Sequence, residues 1–158
     1  MNIRFSKDKY TLIDDEDYDK VKDLCLYSSG KSGYVKFKHN GKAMFLHRFL
    51  LGLEKDGKYL VDHKNGDKLD NRKANLRLCT KPENAHNIRK LSQHNSSGYK
   101  GVFFDKCGDR WRAKIQYMGK SIFLGSFKSV LDAAKAYDQA AIHYFGEFAC
   151  TNASMGLY

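Results

Sequence analysis

An α+β protein in two parts is the class this sequence predicts. A mixed β/α region closes on a β-β-α unit, and a linker then leads to a three-stranded antiparallel sheet packed on one helix. Three observations carry it. KLSQHNSSGYK (90–100) is polar, rich in Ser and Asn, and free of any hydrophobic period, as a connecting segment should be. After it, three short strand-like runs separated by Gly-containing turns precede one long helical pattern. Before it, a strand, a polar loop, a second strand and a capped helix follow one another closely over 58–90. The predicted divisions are residues 1–90, a linker at 91–98, and 99–158.

Taking the elements in order, YTLID (10–14) reads as a short strand. DDEDYDKVKDLCLY (14–27) reads as a helix with acids in its first turn, where the helix dipole favours them. YVKFK alternates, HNGK supplies an Asn-Gly turn and AMFLH returns, a hairpin that HRFLLGL follows as a short helix. GKYLVDH is a strand ending at Asp62 and His63, and NLRLCT (75–80) is a second. A helix then runs from Lys81 to Arg89. Thr80 can cap the amide of Glu83, Glu83 can reach back, and Pro82 is tolerated in a first turn whose amides are unpaired.

Beyond the linker, YKGVFF, RWRAKIQYMG and KSIFLGSF are the three strands. In the middle one Trp111, Ala113 and Ile115 share one face, while Arg110, Arg112, Lys114 and Gln116 share the other. The helix has Ser129 at its start and Gly146 at its stop, and its inner stripe of Ala133, Ala134, Ala140 and Ala141 lets the backbone lie close to a sheet. Tyr99, Trp111, Tyr137 and Tyr144 have the phase of core residues.

The chain has 28 basic and 18 acidic side chains, a formal net charge of +10 and a pI near 9.4, a field that favours a partner rich in phosphate. The excess is greatest over 58–97, with nine basic and four acidic side chains. With 42% hydrophobic and 13% aromatic residues, a disordered chain is excluded. Cys25, Cys79, Cys107 and Cys150 form no C-x-x-C pair, which argues against a zinc ribbon and for free thiols in a reducing compartment. MNIRFSKDKYTL lacks the apolar core of a signal peptide and no run has membrane-spanning length, so the expected location is intracellular, with no membrane as partner.

The polar stretch LVDHKNGDKLDNRKANLRLCT (60–80) admits two readings on its residues alone. In one, Asp62 and Asn84 offer a carboxylate and an amide oxygen to a hard cation such as magnesium. His63, left unligated, then takes a proton from water, and the parts amount to hydrolysis of a phosphodiester. In the other, the stretch is a hydrogen-bonded turn.

VDHKNGDKLDNRKANLRLCTKPENAHN resembles the HNH motif of the His-Me finger superfamily in its homing-endonuclease version: Asp62-His63, Asn75 twelve positions after His63, and Asn84 nine positions further on. The resemblance implies that His63 activates water and that Asp62 and Asn84 hold one divalent metal, magnesium or alternatively manganese. It further implies that Asn75 bonds backbone across the loop to keep His63 in line. No small-molecule cofactor is implied. His47, in LHR, fits packing under the hairpin, the favoured reading, or contact with a substrate phosphate.

From Tyr99 onward, YKGV, RWRAKI, IFLGSF and AAKAYDQAAIHYFGEFACTN resemble the apetala-two/ethylene-response-factor domain. That family's fold is a three-stranded sheet on a helix, and its sheet enters the major groove of double-stranded DNA. The implied contact residues are Lys100, Arg110, Arg112, Lys114, Gln116 and Lys120. Phe103, Phe104, Asp105 and Gln116 stand where the plant proteins often carry Arg, so base preference does not transfer. Together the resemblances imply a homing endonuclease directed by its C-terminal domain. The alternative is a DNA-binding protein or regulator whose nuclease unit is silent.

Overall fold

The computed structural model describes residues 1–28, 30–53 and 59–158. They form two compact units, Met1–Asn84 and Ala85–Tyr158, which divide within the helix that follows the polar stretch. No helix among the described residues is long and apolar enough to cross a membrane.

The first unit opens on an antiparallel pair, β1 (Asn2–Ser6) and β2 (Lys9–Leu12). β1 lies outside the strands the sequence predicts. It is only five residues long, though NIRFS alternates and turns Ile3 and Phe5 onto the core, and it is held by β2 and by the N-terminal amine, which donates to the Ile13 carbonyl at 2.8 Å. The predicted helix over 14–27 is much shorter: a 3-10 turn at Asp15–Asp17 and then α1 (Tyr18–Val21). Its distal residues are taken by a sheet, because Tyr27 and Ser28 form β3 and pair with Lys36 and Val35. Tertiary pairing overrides local helix propensity here.

β4 (Val35–His39) and β5 (Lys42–Phe45) make the predicted hairpin, with Asn40 and Gly41 both at positive φ as a type I′ turn demands. α2 (Leu46–Leu50) follows, and Ile13, Val21, Leu26, Val35, Phe37, Leu46 and Leu50 form the core beneath. β6 (Leu60–His63) pairs antiparallel with β7 (Leu76–Cys79), placing Asp62 opposite Arg77 and His63 opposite Leu76. Gly57 and Lys58, the predicted start of β6, lie outside the described residues. α3 (Lys81–His86) begins with the predicted capping box: the Thr80 amide and hydroxyl both donate to Glu83 Oε2, at 2.7 and 2.8 Å. α3 stops three residues before Arg89. The carbonyls of His86 and Ile88 instead accept bonds from the Lys100 ammonium, at 3.4 and 2.9 Å.

In the second unit the antiparallel sheet has the order β10-β9-β8, from β8 (Val102–Asp105), β9 (Arg110–Tyr117) and β10 (Lys120–Phe127). α4 (Val130–Phe145) packs on it, as predicted. Ser129 Oγ accepts from the amides of Leu131 and Asp132, and Gly146 at φ 53° ends the helix. Ala133, Ala134 and Ala141 are fully buried, so α4 lies close against the strands. Tyr99, Trp111, Tyr137 and Tyr144 all belong to this core. The Ser- and Asn-rich segment preceding β8 is bonded to the unit: Ser97 Oγ donates to the Val102 carbonyl at 2.9 Å and Asn95 Nδ2 to the Tyr99 carbonyl at 2.7 Å. After α4 the chain folds back, held by Asp138. Its carboxylate accepts from the Asn152 amide, Asn152 Nδ2, the Ala153 amide and the Tyr158 hydroxyl at 2.7–2.9 Å.

Candidate active site and cationic sheet face

His63 ends β6 almost fully buried, and its Nε2 lies 3.1 Å from Asn71 Oδ1. The neighbouring bonds decide which ring nitrogen carries the proton. Thr11 Oγ1 donates to the Leu69 carbonyl at 2.8 Å, and its oxygen accepts from Asn71 Nδ2 at 2.7 Å. Asn71 Oδ1 must therefore be an acceptor, so His63 donates through Nε2–H and keeps its lone pair on Nδ1. Thr11 and Asn71 are each 1% exposed. The backbone frame is equally tight, since β2 and the loop exchange Leu12 N to Leu69 O and Asn71 N to Leu12 O, both at 2.8 Å. Burial lowers the pKa of His63, opposed by the Asn71 bond and by the carboxylates of Asp62, Asp67 and Asp70. The imidazole is thus held neutral.

His47 packs against this base. Its ring stacks on Phe45 and stands edge-on to both Tyr34 and His63, with centroids 5.2–5.3 Å apart. Burial, aided by the neighbouring His63 and Arg48, pushes its pKa down to about 3. This is the packing reading favoured from the sequence, although the ring it packs against belongs to the candidate base.

Asp62 is buried, and its Oδ2 accepts from Arg77 Nε at 2.8 Å and Nη2 at 2.6 Å. Asn75 joins the two ends of the loop. Its Oδ1 accepts from the Asn65 amide at 3.0 Å, its carbonyl accepts from the Lys64 amide at 2.9 Å, and its Nδ2 donates to the Asp70 carbonyl at 2.8 Å. Asp70 in turn is gripped by Arg72 Nε and Nη2, both at 2.8 Å, which holds its pKa below the usual carboxylate range. Asn84, half-buried on α3, is placed by the capping box and by its amide bond to the Thr80 carbonyl. Asp62, His63 and Asn75 thus meet around one loop, and Asn84 stands on the helix that follows it. Among the described residues no cluster of three or more His, Cys, Asp and Glu could hold a metal. A carboxylate and an amide oxygen form a sparse, hard donor set that suits a cation retaining several waters, as magnesium does.

In the second unit Arg110, Lys114 and Gln116 are exposed on the face of β9 opposite Ala113 and Ile115. Arg112 shares that face but is half-buried, with Nη2 2.7 Å from Asp105 Oδ2. Lys100 does not join them. Its ammonium is turned onto the carbonyls of His86, Ile88 and Cys150, and burial lowers its pKa. Lys120 pairs with Tyr117, so its strand phase is that of the helix-facing residues.

Sequence reasoning missed Thr11, Tyr34, Asn71 and Arg77 as neighbours of the site. The D-N-R run at 70–72 was visible, but which of its three polar side chains reaches His63 depends on β2, sixty residues earlier in the chain.

Residues 51–86 match the HNH endonuclease family model. An uncharacterized HNH endonuclease of Acanthamoeba polyphaga mimivirus is 34% identical over 127 residues, covering 78% of this chain and 64% of that protein. APETALA2-like protein 2 of Oryza sativa subsp. indica is 44% identical over 82 residues, which is 49% of this chain but only 19% of the rice protein. An AP2-like ethylene-responsive transcription factor of Arabidopsis thaliana is 39% identical over 70 residues, 44% of this chain and 14% of its own length. The chain therefore joins a segment that matches the HNH endonuclease family model to a C-terminal half similar to APETALA2-like proteins, of whose own length it spans only a small part.

Proposed function

We propose that the protein is a DNA endonuclease of the homing type, hydrolysing phosphodiester bonds with a divalent cation and directed to duplex DNA by its second unit. The observation that carries this is the buried, neutral His63, its proton fixed on Nε2, at the end of a β-β-α unit beside Asp62. His63 accepts a proton from water, the resulting hydroxide attacks phosphorus, and the bond to the leaving oxygen breaks, that oxygen being protonated from solvent. Asp62 and Asn84 would hold the cation, which supplies positive charge to the phosphate and the leaving oxygen. Asn75 keeps the loop closed so that His63 stays in line. Arg110, Lys114 and Gln116, with Arg112, offer the groove and backbone contacts that a small nuclease unit lacks. One active site cuts one strand per event, so breaking both strands requires a dimer or two successive events.

The test is supercoiled plasmid incubated with the protein and magnesium or manganese. Wild type is expected to nick it and His63→Ala to leave it intact. Plasmid untouched by wild type across both metals overturns the enzyme reading, and cleavage by His63→Ala overturns the assigned base.

One observation favours the second reading, a DNA-binding protein with a silent nuclease unit. Two Arg77 bonds converge on Asp62 Oδ2, so a guanidinium already occupies an oxygen that a cation would use. That reading predicts tight duplex binding without nicking. Under either reading, Arg110→Ala and Lys114→Ala should each weaken binding and lower the salt slope by about one.

A further inference from the structure

The outer face of the second unit's sheet carries two features that folding does not explain. Strand register sets Phe103 of β8 opposite Arg112 of β9, and Phe123 of β10 opposite Lys114, so both rings lie on the cationic face and not on the helix-packed one. Phe123 is 59% exposed. Phe103 is half-buried on the same face, so Phe123 is the more exposed of the two rings. Its neighbours Ile122 and Leu124 point into the core, so the pleat turns Phe123 outward, on the same face as Ser121 and Ser126. Each ring is also matched with a cation: Lys114 Nζ stands 5.0 Å from the centre of Phe103 and Arg112 Cζ 5.9 Å from that of Phe123. Arg112 is steadied there by Asp105.

We propose that Phe103 and Phe123 read the C5 methyl group of thymine in the major groove, so that the protein selects duplex sites with thymines at fixed offsets from the bases and phosphates met by Arg110, Lys114 and Gln116. This deepens the reading that the second unit binds duplex DNA and rests on it. The chemistry is specific to that groove, because the thymine methyl is the one apolar group a base pair presents there and a Phe edge is a suitable partner. The cations on the same face supply attraction to the phosphates on either side. Stacking on an unpaired base is disfavoured, because each ring already has a cation beside its face.

The test uses the full chain in chelator, so that no cleavage intervenes. A binding site is selected from a random duplex library, and each of its thymines is then replaced singly by deoxyuracil, which keeps pairing and charge and removes only the methyl. Wild type should lose about fourfold in affinity at one or more positions, the worth of one buried methyl group. Replacing cytosine by 5-methylcytosine at a neighbouring step tests whether the methyl alone suffices, and a gain there supports the proposal. Phe123→Ala or Phe103→Ala should equalise thymine and uracil while leaving the salt slope and Trp111 fluorescence unchanged. The uracil series needs no variant, so a misfolded variant leaves the test intact. Selective binding with no uracil effect at any position overturns this inference and spares the proposed function. Absence of duplex selectivity, or preference for single strands, overturns both.

Discussion

Gly101 sits at the entry to β8 with φ +75°, and a methyl group there has nowhere to go. An added Cβ would lie 2.0 Å from Tyr137 Cδ2, 2.3 Å from Tyr137 Cε2 and 2.8 Å from the Lys114 carbonyl oxygen. Tyr137 is 5% exposed in the core on α4, and the carbonyl belongs to β9, whose Lys114 amide bonds back to the Gly101 carbonyl at 2.9 Å. Neither neighbour can yield cheaply. Gly101→Ala therefore combines about 1–2 kcal/mol for an L residue in the left-handed region with about 1–3 kcal/mol of overpacking, roughly 2–5 kcal/mol in all. Gly98→Ala is the control, because it has φ +76° and nothing within 4 Å, so it bears the backbone term alone. The single tryptophan, Trp111, lies in the core of this unit, so its fluorescence follows the unfolding of this unit specifically. At about 4–8 °C per kcal/mol for a domain this small, Gly101→Ala should melt about 8–40 °C below wild type and Gly98→Ala about 4–16 °C below it, the gap between the two variants being the clash. Equal losses for the two variants would refute the argument from the clash.

Asn71→Leu breaks the relay from Thr11 to His63. It should cost about 1–3 kcal/mol in urea unfolding and lower kcat on plasmid at least tenfold with KM unchanged; an unaltered kcat would remove Asn71 as a positioning residue. His47 has a folded pKa depressed from the ordinary 6.5 to about 3, so the unfolded chain takes up a proton below pH 6.5 that the folded chain refuses. Stability should fall as pH drops from 6.5 towards 3, with His47 contributing a slope of about 1.4 kcal/mol per pH unit, and urea midpoints for His47→Gln across that window should be correspondingly flatter. Asp138→Ala leaves four donors of the C-terminal segment without their shared carboxylate, two of them on buried Asn152. It should cost about 3 kcal/mol or more and open residues 150–158 to limited proteolysis, and resistance equal to wild type would show the clamp to be redundant.

Elements whose causes are local could be read directly. The Asn-Gly hairpin, the Thr80-Glu83 capping box, the Ser129 cap and the alternation of RWRAKIQ each lie within a few residues, and each appears as predicted. Misreadings came where a distant partner decided. Tyr27 leaves a plausible helix because Lys36 offers a strand edge. Lys100 looks like a strand cation, yet its ammonium is drawn onto carbonyls from segments before β8 and after α4.

The amino-acid order by itself determined the two-part α+β plan and the spacing of Asp62, His63, Asn75 and Asn84. Periodicity, caps and turn residues act over a few positions, and the motif is a matter of order. Only the tertiary structure decided which nitrogen of His63 bears the proton, that His47 packs on it, that Arg77 holds Asp62, and that two phenylalanines share the cationic sheet face. Those outcomes depend on hydrogen bonds and register between segments far apart in the chain, and a linear pattern carries no record of which of several polar neighbours folding will bring within 3 Å.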